Sequence, residues 1–172
     1  MTSPSHPKAP TSCSALGFAK HDHASCVHDA LSEADTHCAE NGLRFTPVRR
    51  HALDLLLQEH RALGAYEVLD GLREAGFGSQ PPVAYRALEF LVEQGFAHKI
   101  EHLNAFIACA HPGARHTPAF MICRGCNAVA EAQSAPVRAA LGEAAGAVGF
   151  TIERTVVEAV GLCPACAEAA PA

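Results

Sequence analysis

The stretch "SQPPVAYRALEFLVEQGFAHKIEHLNAFIAC", residues 79–109, changes its period half-way along. Ala84, Leu88, Leu91 and Val92 recur at helical spacing, so the first half predicts a helix with one apolar stripe. Tyr85, Arg86, Glu89 and Glu93 fall on the opposite side. Ser79 or Gln80 serves as its cap, Pro81 and Pro82 stand at its entrance, and Gly95 stops it. From Phe96 the chain alternates, which predicts a β-hairpin turning near Leu103-Asn104. A helix running straight into a hairpin closes a winged helix-turn-helix when two shorter helices precede it.

Both precursors are present. In "RFTPVRRHALDLLLQEH", residues 44–60, Thr46 can cap and Pro47 suits the first helical position. Val48, Ala52, Leu55 and Leu56 share a face there. In "LGAYEVLDGLREAGF", residues 63–77, Tyr66, Leu69 and Leu72/Arg73 keep helical spacing, Gly71 weakens the helix and Gly76 ends it. A further helix over 26–41 has a weak stripe. Residues 1–25 carry Pro, Ser, Thr and His without apolar period and read as a flexible tail; His21, His23, Cys26 and His28 cluster near the N-terminus, around the end of that tail. Beyond a Pro-, Gly- and His-containing loop at 110–118 the pattern changes. "AFMIC" and "NAVAEA" predict paired strands, 135–147 an Ala-rich helix, and "FTIERTVVEAVGLC" a long strand. The expected fold class is therefore α+β. It has a tail at 1–25, a winged-helix DNA-binding domain at 26–110, and a small α+β dimerisation and zinc-binding domain at 111–172.

The chain has 172 residues, 49% of them hydrophobic, enough for a core in one or two small domains. No apolar run has the length of a membrane span. The first residues lack a basic region followed by an apolar segment, so no export signal is expected. The expected location is cytoplasmic, where reduced thiols and metal sites are favoured over disulfides. A net charge of −5 argues against non-specific nucleic-acid binding, so any DNA face must concentrate its cations locally.

Eight cysteines and eleven histidines are many for this length. Cys123-x-x-Cys126 and Cys163-x-x-Cys166 each put two thiolates on a tight turn. Together they form a closed tetrahedral sulfur set that suits a structural zinc. That ion would tie the C-terminal segment back onto the first strand of the second unit. The plainer alternative is four reduced cysteines without metal; a redox dithiol would need a strand-to-helix setting that neither pair offers clearly. A second set emerges from the hairpin. With a two-residue turn at 103–104, His98 lies directly opposite Cys109, with Cβ atoms about 4.5–5.5 Å apart. His102 shares that face but sits roughly 13 Å along the strand, at about 3.3 Å per residue. His116 in the next loop and Glu131 in the following hairpin complete a set of two nitrogens, one sulfur and one oxygen. Protein groups fill that set, which argues against metal-hydrolase chemistry, and its ligands come from both units. The same residues read equally as surface histidines and a solvated glutamate. Neither an open metal position nor an exposed low-pKa cysteine marks an enzyme.

On a winged helix the third helix enters the major groove while other helix ends hold phosphates. Arg86 can reach a guanine edge or a phosphate, Tyr66 a base or sugar, and Arg44, Arg49 and Arg50 form a local basic cluster. Arg86 can equally pair with Glu89 or Glu93, and Arg49 and Arg50 can be a solvated face.

The segments "RFTPVRRHALDLL", "PPVAYRALEFLVEQGFAHKI", "HTPAFMICRGCNAV" and "GFTIERTVVEAVGLCPAC" occur in one order over about residues 30–168. In them the chain resembles the ferric uptake regulator superfamily, and within it the zinc-sensing branch. The resemblance implies a cytoplasmic homodimeric repressor that binds operator DNA when zinc-loaded and silences zinc-acquisition genes. It implies two zinc ions per subunit. The structural one would fall on Cys123, Cys126, Cys163 and Cys166, and the regulatory one on His98, Cys109, His116 and Glu131. Tyr66 and Arg86 match the family's DNA-contacting positions, and Asp70 and Arg73 match positions that pair between two dimers on one operator. Two departures stand out. The family often reads Pro-Thr-Val-Tyr-Arg where this chain has Pro82-Val83-Ala84-Tyr85-Arg86, which removes a hydroxyl able to hold a phosphate. The His-rich end that some members carry after the last cysteine pair is also missing. Iron, manganese and peroxide sensors of the same superfamily are the sibling alternatives; the soft ligand Cys109 favours zinc. A zinc-storage or interaction module without DNA binding is the alternative of another class.

Overall fold

The computed structural model describes residues 23–59, 61–110, 112 and 117–169, with side chains from residue 27 onward except that of Gln133. His21 and the expected ligand His116 lie outside the described residues, as do the side chains of His23 and Cys26. Helix α1, His23–Glu40, begins three residues before the sequence suggests, so the span expected as tail ends in helix. Gly42 at φ +65° turns the chain out of it, and the Leu43 amide closes back on the Cys38 carbonyl at 2.8 Å.

Helix α2, Pro47–Gln58, starts as expected, with the Thr46 hydroxyl accepting the Arg49 amide at 3.4 Å. Ala52, Leu53 and Leu56 are its buried residues, while Leu55 packs half-buried against helix α3, Ala65–Glu74. Gly71 explains that contact: a Cβ there would lie 2.7 Å from Leu55 Cδ1, so the glycine that weakens α3 lets α2 approach it. Gly76 ends α3 at φ +83°, with the Phe77 amide bonded to the Leu72 carbonyl at 2.9 Å.

Helix α4, Pro81–Glu93, buries Ala84, Ala87, Leu88, Phe90 and Leu91. Val92, expected in the stripe, is 37% exposed. At about 100° per residue it sits on the margin of the stripe beside Tyr85, while Ala87 fills the other flank. Tyr85, on the polar side, is exposed as well. The side chains of α1 to α4 make one core around Leu56, Val68, Leu72, Leu88 and Leu91.

The hairpin follows, with β2 at Ala97–Ile100 and β3 at Ala105–Ala108; β1, Leu63–Gly64, adds a third strand in the order β1-β3-β2. Its turn corrects the sequence reading. Four residues, 101–104, form the loop, and only Asn104 is left-handed, at φ +47°. Leu103-Asn104 cannot make a two-residue turn in which both residues take positive φ, so the chain closes around a wider turn. His98 therefore faces Ile107, not Cys109. The slip is two residues, which preserves the face, so Cys109 remains a diagonal neighbour of His98.

The second sheet has the order β5-β4-β6, from β4 Pro118–Cys123, β5 Val129–Gln133 and β6 Val157–Gly161. β4 pairs antiparallel with β5 and parallel with β6, helix α5, Ala135–Ala147, makes the crossover, and α6, Pro164–Ala169, ends the described chain. The long strand expected from Phe150 is only five residues, because its partner β4 begins at Pro118, whose ring nitrogen has no amide proton to extend the ladder. A second buried cluster joins the two sheets: Ala62, Ile100, Ala105 and Ile107 on one side, Phe120, Ile122 and Val129 on the other. The fold is α+β. Among the described residues no helix is long and apolar enough to cross a membrane.

Candidate metal centres

Cys123 closes β4, and the chain turns through Arg124 and Gly125 to Cys126. Asn127 at φ +59° brings it back into β5, its amide bonded to the Cys123 carbonyl at 2.8 Å. Cys163 and Cys166 come from the start of α6, and Gly125 lets the turn pass close: a Cβ there would stand 3.0 Å from Cys166 Sγ. All four sulfurs lie within 4.8 Å of one another. Cys126 Sγ and Cys163 Sγ are 3.7 Å apart. Two thiolates at about 2.3 Å from a tetrahedral zinc stand about 3.8 Å apart, so the donor set fits that ion. The cluster sits at one end of the second sheet, where the β4-β5 turn meets the chain leaving the parallel strand β6, so it ties the C-terminal segment to β4.

Electrostatics within the cluster are uneven. The Cys163 amide donates to Cys123 Sγ at 3.2 Å, and with it the Cys126 and Gly125 amides hold the Cys123 thiol down at about 6 against burial. The neighbouring sulfurs of Cys163, Cys126 and Cys123 push Cys166 up to about 12. Cys126 is raised too; the Ala128 amide lowers it, but the Cys123 sulfur, burial and Cys163 outweigh that pull. Near neutrality Cys123 is therefore ionised, while Cys126 and Cys166 hold protons that a cation must displace. Displacing at least these two protons makes the apparent zinc affinity of this cluster fall by about a hundredfold or more for each unit of pH lowered. A competition titration against a zinc-binding dye from pH 7.5 to 6.5 checks this; a slope below tenfold per unit contradicts it.

The second set gathers where hairpin and second sheet meet. His98 Nε2 or Nδ1, Cys109 Sγ and a Glu131 carboxylate oxygen lie within 4.8 Å of one another. His98 comes from β2, Cys109 follows β3 with its amide on the Phe96 carbonyl at 2.9 Å, and Glu131 comes from β5. His98 Nε2 and Glu131 Oε2 are 3.9 Å apart, too far for a hydrogen bond. The distance is within what two bonds of about 2.0–2.2 Å to one ion can span. The Glu131 side chain is 7% exposed and takes the Ala110 amide at 3.1 Å. A carboxylate this buried requires charged or hydrogen-bonding company. The His98 ring rests on Phe120, centroids 5.5 Å apart, which fixes its orientation.

On the helical side, Tyr66 at the start of α3 is 64% exposed, and Arg86 on α4 is exposed as well. Arg44 is exposed in the loop before α2. Arg49 differs from expectation: its guanidinium lies 3.7 Å over the Phe90 ring and donates to the Arg44 carbonyl. Arg50 pairs with Asp35, leaving Arg44 and Arg86 as the available cations of that set. Asp70 and Arg73 pair with each other at 2.9 Å within the chain, both more than half exposed.

Residues 40–160 match the Ferric uptake regulator family. The chain belongs to that family. The zinc uptake regulation protein of Escherichia coli (strain K12) is 41% identical over 143 residues, covering 83% of this chain and 84% of the relative. A solved zinc uptake regulator, complexed with zinc and DNA, is 40% identical and superposes with a TM-score of 0.79 over 83% of this chain and 96% of that one. The holo form of XcZur is 40% identical, with a TM-score of 0.73 over 81% of this chain and 98% of that one. The family is one of transcription regulators.

Sequence reasoning overlooked one side chain at the junction of the two sheets. Glu158, in β6, accepts the Glu101 amide at 2.7 Å and the His102 amide at 2.9 Å. The available signal was a lone carboxylate inside the apolar run "VVEAVG", residues 156–161.

Proposed function

We propose that this chain is a zinc-responsive transcriptional repressor that binds operator DNA as a cytoplasmic homodimer and silences zinc-acquisition genes. The observation that carries the reading is the junction itself: one imidazole, one thiol and one carboxylate converge from the hairpin on one side and the second sheet on the other. A relative solved with both zinc and DNA supports it. In this reading residues 26–110 form a winged helix-turn-helix in which α2, α3 and α4 are the three helices and β2-β3 the wing. Residues 111–172 form the dimerisation unit. Two zinc sites serve each chain: Cys123, Cys126, Cys163 and Cys166 hold the structural one, and His98, Cys109, His116 and Glu131 the regulatory one. Zinc supplies the cationic centre that these imidazole, thiolate and carboxylate donors share.

Dimerisation is supported by surface left bare in the single chain. Helix α5 buries none of its thirteen residues, and Leu141, Val148, Phe150, Ile152 and Val156 are exposed side by side around one groove. Strand β6 forms an open edge of its sheet. A self-complementary contact across a two-fold axis covers both at once.

The response is linkage. His98 and Cys109 move with the hairpin, Glu131 with the dimerisation sheet. Donors held together fix the angle at which α4 of each subunit meets its half-site, so ligation and DNA binding favour the same arrangement. Arg86 faces the major groove, Tyr66 and Arg44 flank it, and Arg49 holds the Arg44 loop through Phe90. Asp70 and Arg73 can exchange their partner for one on a neighbouring dimer when two dimers share an operator. An iron, manganese or peroxide sensor is the nearest rival, disfavoured by the thiol of Cys109.

The test is a mobility shift on a palindromic operator across buffered free zinc, repeated with the other divalent ions. Arg86→Ala is expected to weaken operator binding by about 10–100-fold, the range of one lost base or phosphate contact, while zinc content stays at two per chain. Unchanged operator affinity refutes the role of Arg86. Absence of any zinc-dependent shift refutes the repressor reading and favours a storage or interaction module.

A further inference from the structure

We infer that Glu158 is a positioning residue for the metal response: its carboxylate holds the turn of the β2-β3 hairpin on the second sheet, so that His98 and Cys109 are brought to Glu131. The inference rests on the repressor reading above and adds a contact that no metal ligand makes.

The second sheet presents one row of side chains to the hairpin. Phe120 in β4 pairs with Glu131 on one side and with Glu158 on the other. Directly paired residues share a face, so Glu131, Phe120 and Glu158 stand side by side toward the hairpin. At about 4.8 Å between strands, the two carboxylates start about 10 Å apart. Phe120 fills the middle, buried with Ile100 and Ile107 of the hairpin and in ring contact with His98. Glu131 receives the open end of the hairpin, through the Ala110 amide and the neighbouring His98 and Cys109. Glu158 receives the closed end, each of its oxygens taking one amide of the turn, from Glu101 at 2.7 Å and His102 at 2.9 Å.

The chemistry of the two grips differs. Glu131 is a ligand candidate; Glu158 is a carboxylate accepting two backbone amides, and bonds of that kind are stronger than neutral ones. Turn amides at a hairpin tip ordinarily face water, so their capture by a different sheet is specific to this packing. Glu101 adds a second tie: Arg154, just before β6, donates to its carboxylate at 2.8 Å, and Lys99 pairs with it at 3.0 Å. Arg154 is 71% exposed, so this outer pair contributes little beside the amides. A hairpin held at its tip and packed on Phe120 has one remaining freedom, the approach of its open end to Glu131. Removing the tip grip enlarges the set of arrangements from which His98 and Cys109 must be gathered. More free zinc is then needed for the same response.

Glu158→Gln keeps the side-chain length, removes the charge and turns one acceptor into a donor facing an amide. In the full-length zinc-loaded dimer it is expected to raise by about tenfold the free zinc giving half-maximal operator binding. Operator affinity at saturating zinc should stay within about twofold, and the four-cysteine site should keep its zinc by metal analysis. A purely structural role would lower zinc content or saturating affinity while raising the midpoint, and that result overturns the inference. An unchanged midpoint overturns the inference. Amide exchange in the unaltered protein gives a second reading independent of any variant's folding. The Glu101 and His102 amides should be protected in the zinc-loaded form, and exchange at free-peptide rates overturns the inference. If the unaltered protein shows no zinc-dependent operator binding, the repressor reading fails, and the amide exchange alone then decides whether Glu158 grips the turn.

Discussion

Cys123→Ser is expected to leave a chain that does not fold its second sheet. Cys123 sits at 1% exposure at the end of β4, the strand that pairs with both β5 and β6. Its sulfur takes the Cys163 amide, so it organises the cluster even before an ion arrives. A structural zinc contributes about 10–16 kcal/mol of apparent binding free energy in small metal-dependent folds at neutral pH. That equals or exceeds the about 5–15 kcal/mol by which a whole domain is stable. Little else compensates: α6 buries no residue and α5 buries none, so the C-terminal segment is held mainly by the cluster and by β6. The same loss follows from complete chelation of the unaltered chain. Circular dichroism and zinc analysis after exhaustive chelation check it; an unchanged spectrum with no bound zinc contradicts the structural role.

Cys109→Ser is expected to behave in the opposite way, folding as a dimer with its four-cysteine zinc and losing its response. Cys109 lies beyond the last paired residue of β3, outside both buried clusters, and contributes no strand pairing beyond its amide on the Phe96 carbonyl. Serine keeps that amide and the side-chain volume nearly unchanged, so little stability is lost. It removes the soft donor that matches zinc and leaves a hydroxyl, a much weaker ligand near neutral pH. The coupling between two sites in such systems is about 1–3 kcal/mol, or about 5–150-fold in affinity, and that factor is what the substitution removes.

The sequence was most legible where one physical rule acted alone. Thr46-Pro47, Gly76 and the two prolines that open α4 marked helix ends, because capping and fixed φ are local properties. The cysteine pairs announced their cluster because Cys-x-x-Cys is itself a turn chemistry. The hairpin register was not legible. It depended on whether Leu103-Asn104 adopts two left-handed residues or one, and the chain chose one. The ligand face survived that error only because the slip was even, which leaves every side chain on its original side. The extent of β6 was hidden for a related reason: residues 150–156 have strand-forming side chains, but a strand needs a partner, and β4 offers none before Ala119. The contact of Arg49 with Phe90 was not legible because a guanidinium reads as a surface charge in sequence, whereas the ring it rests on lies forty-one positions away. Glu158 was missed because its role lies in capping amides 56 and 57 residues distant.

The measurement that bears most directly on the joining of hairpin and second sheet is operator affinity across buffered free zinc, for the unaltered protein and Cys109→Ser side by side. Affinity of the unaltered dimer should rise by about 5–150-fold with zinc while that of Cys109→Ser stays flat, both chains keeping the four-cysteine ion. An equal rise in both contradicts the account, because the thiol at the junction would then have no part in coupling the metal to the DNA.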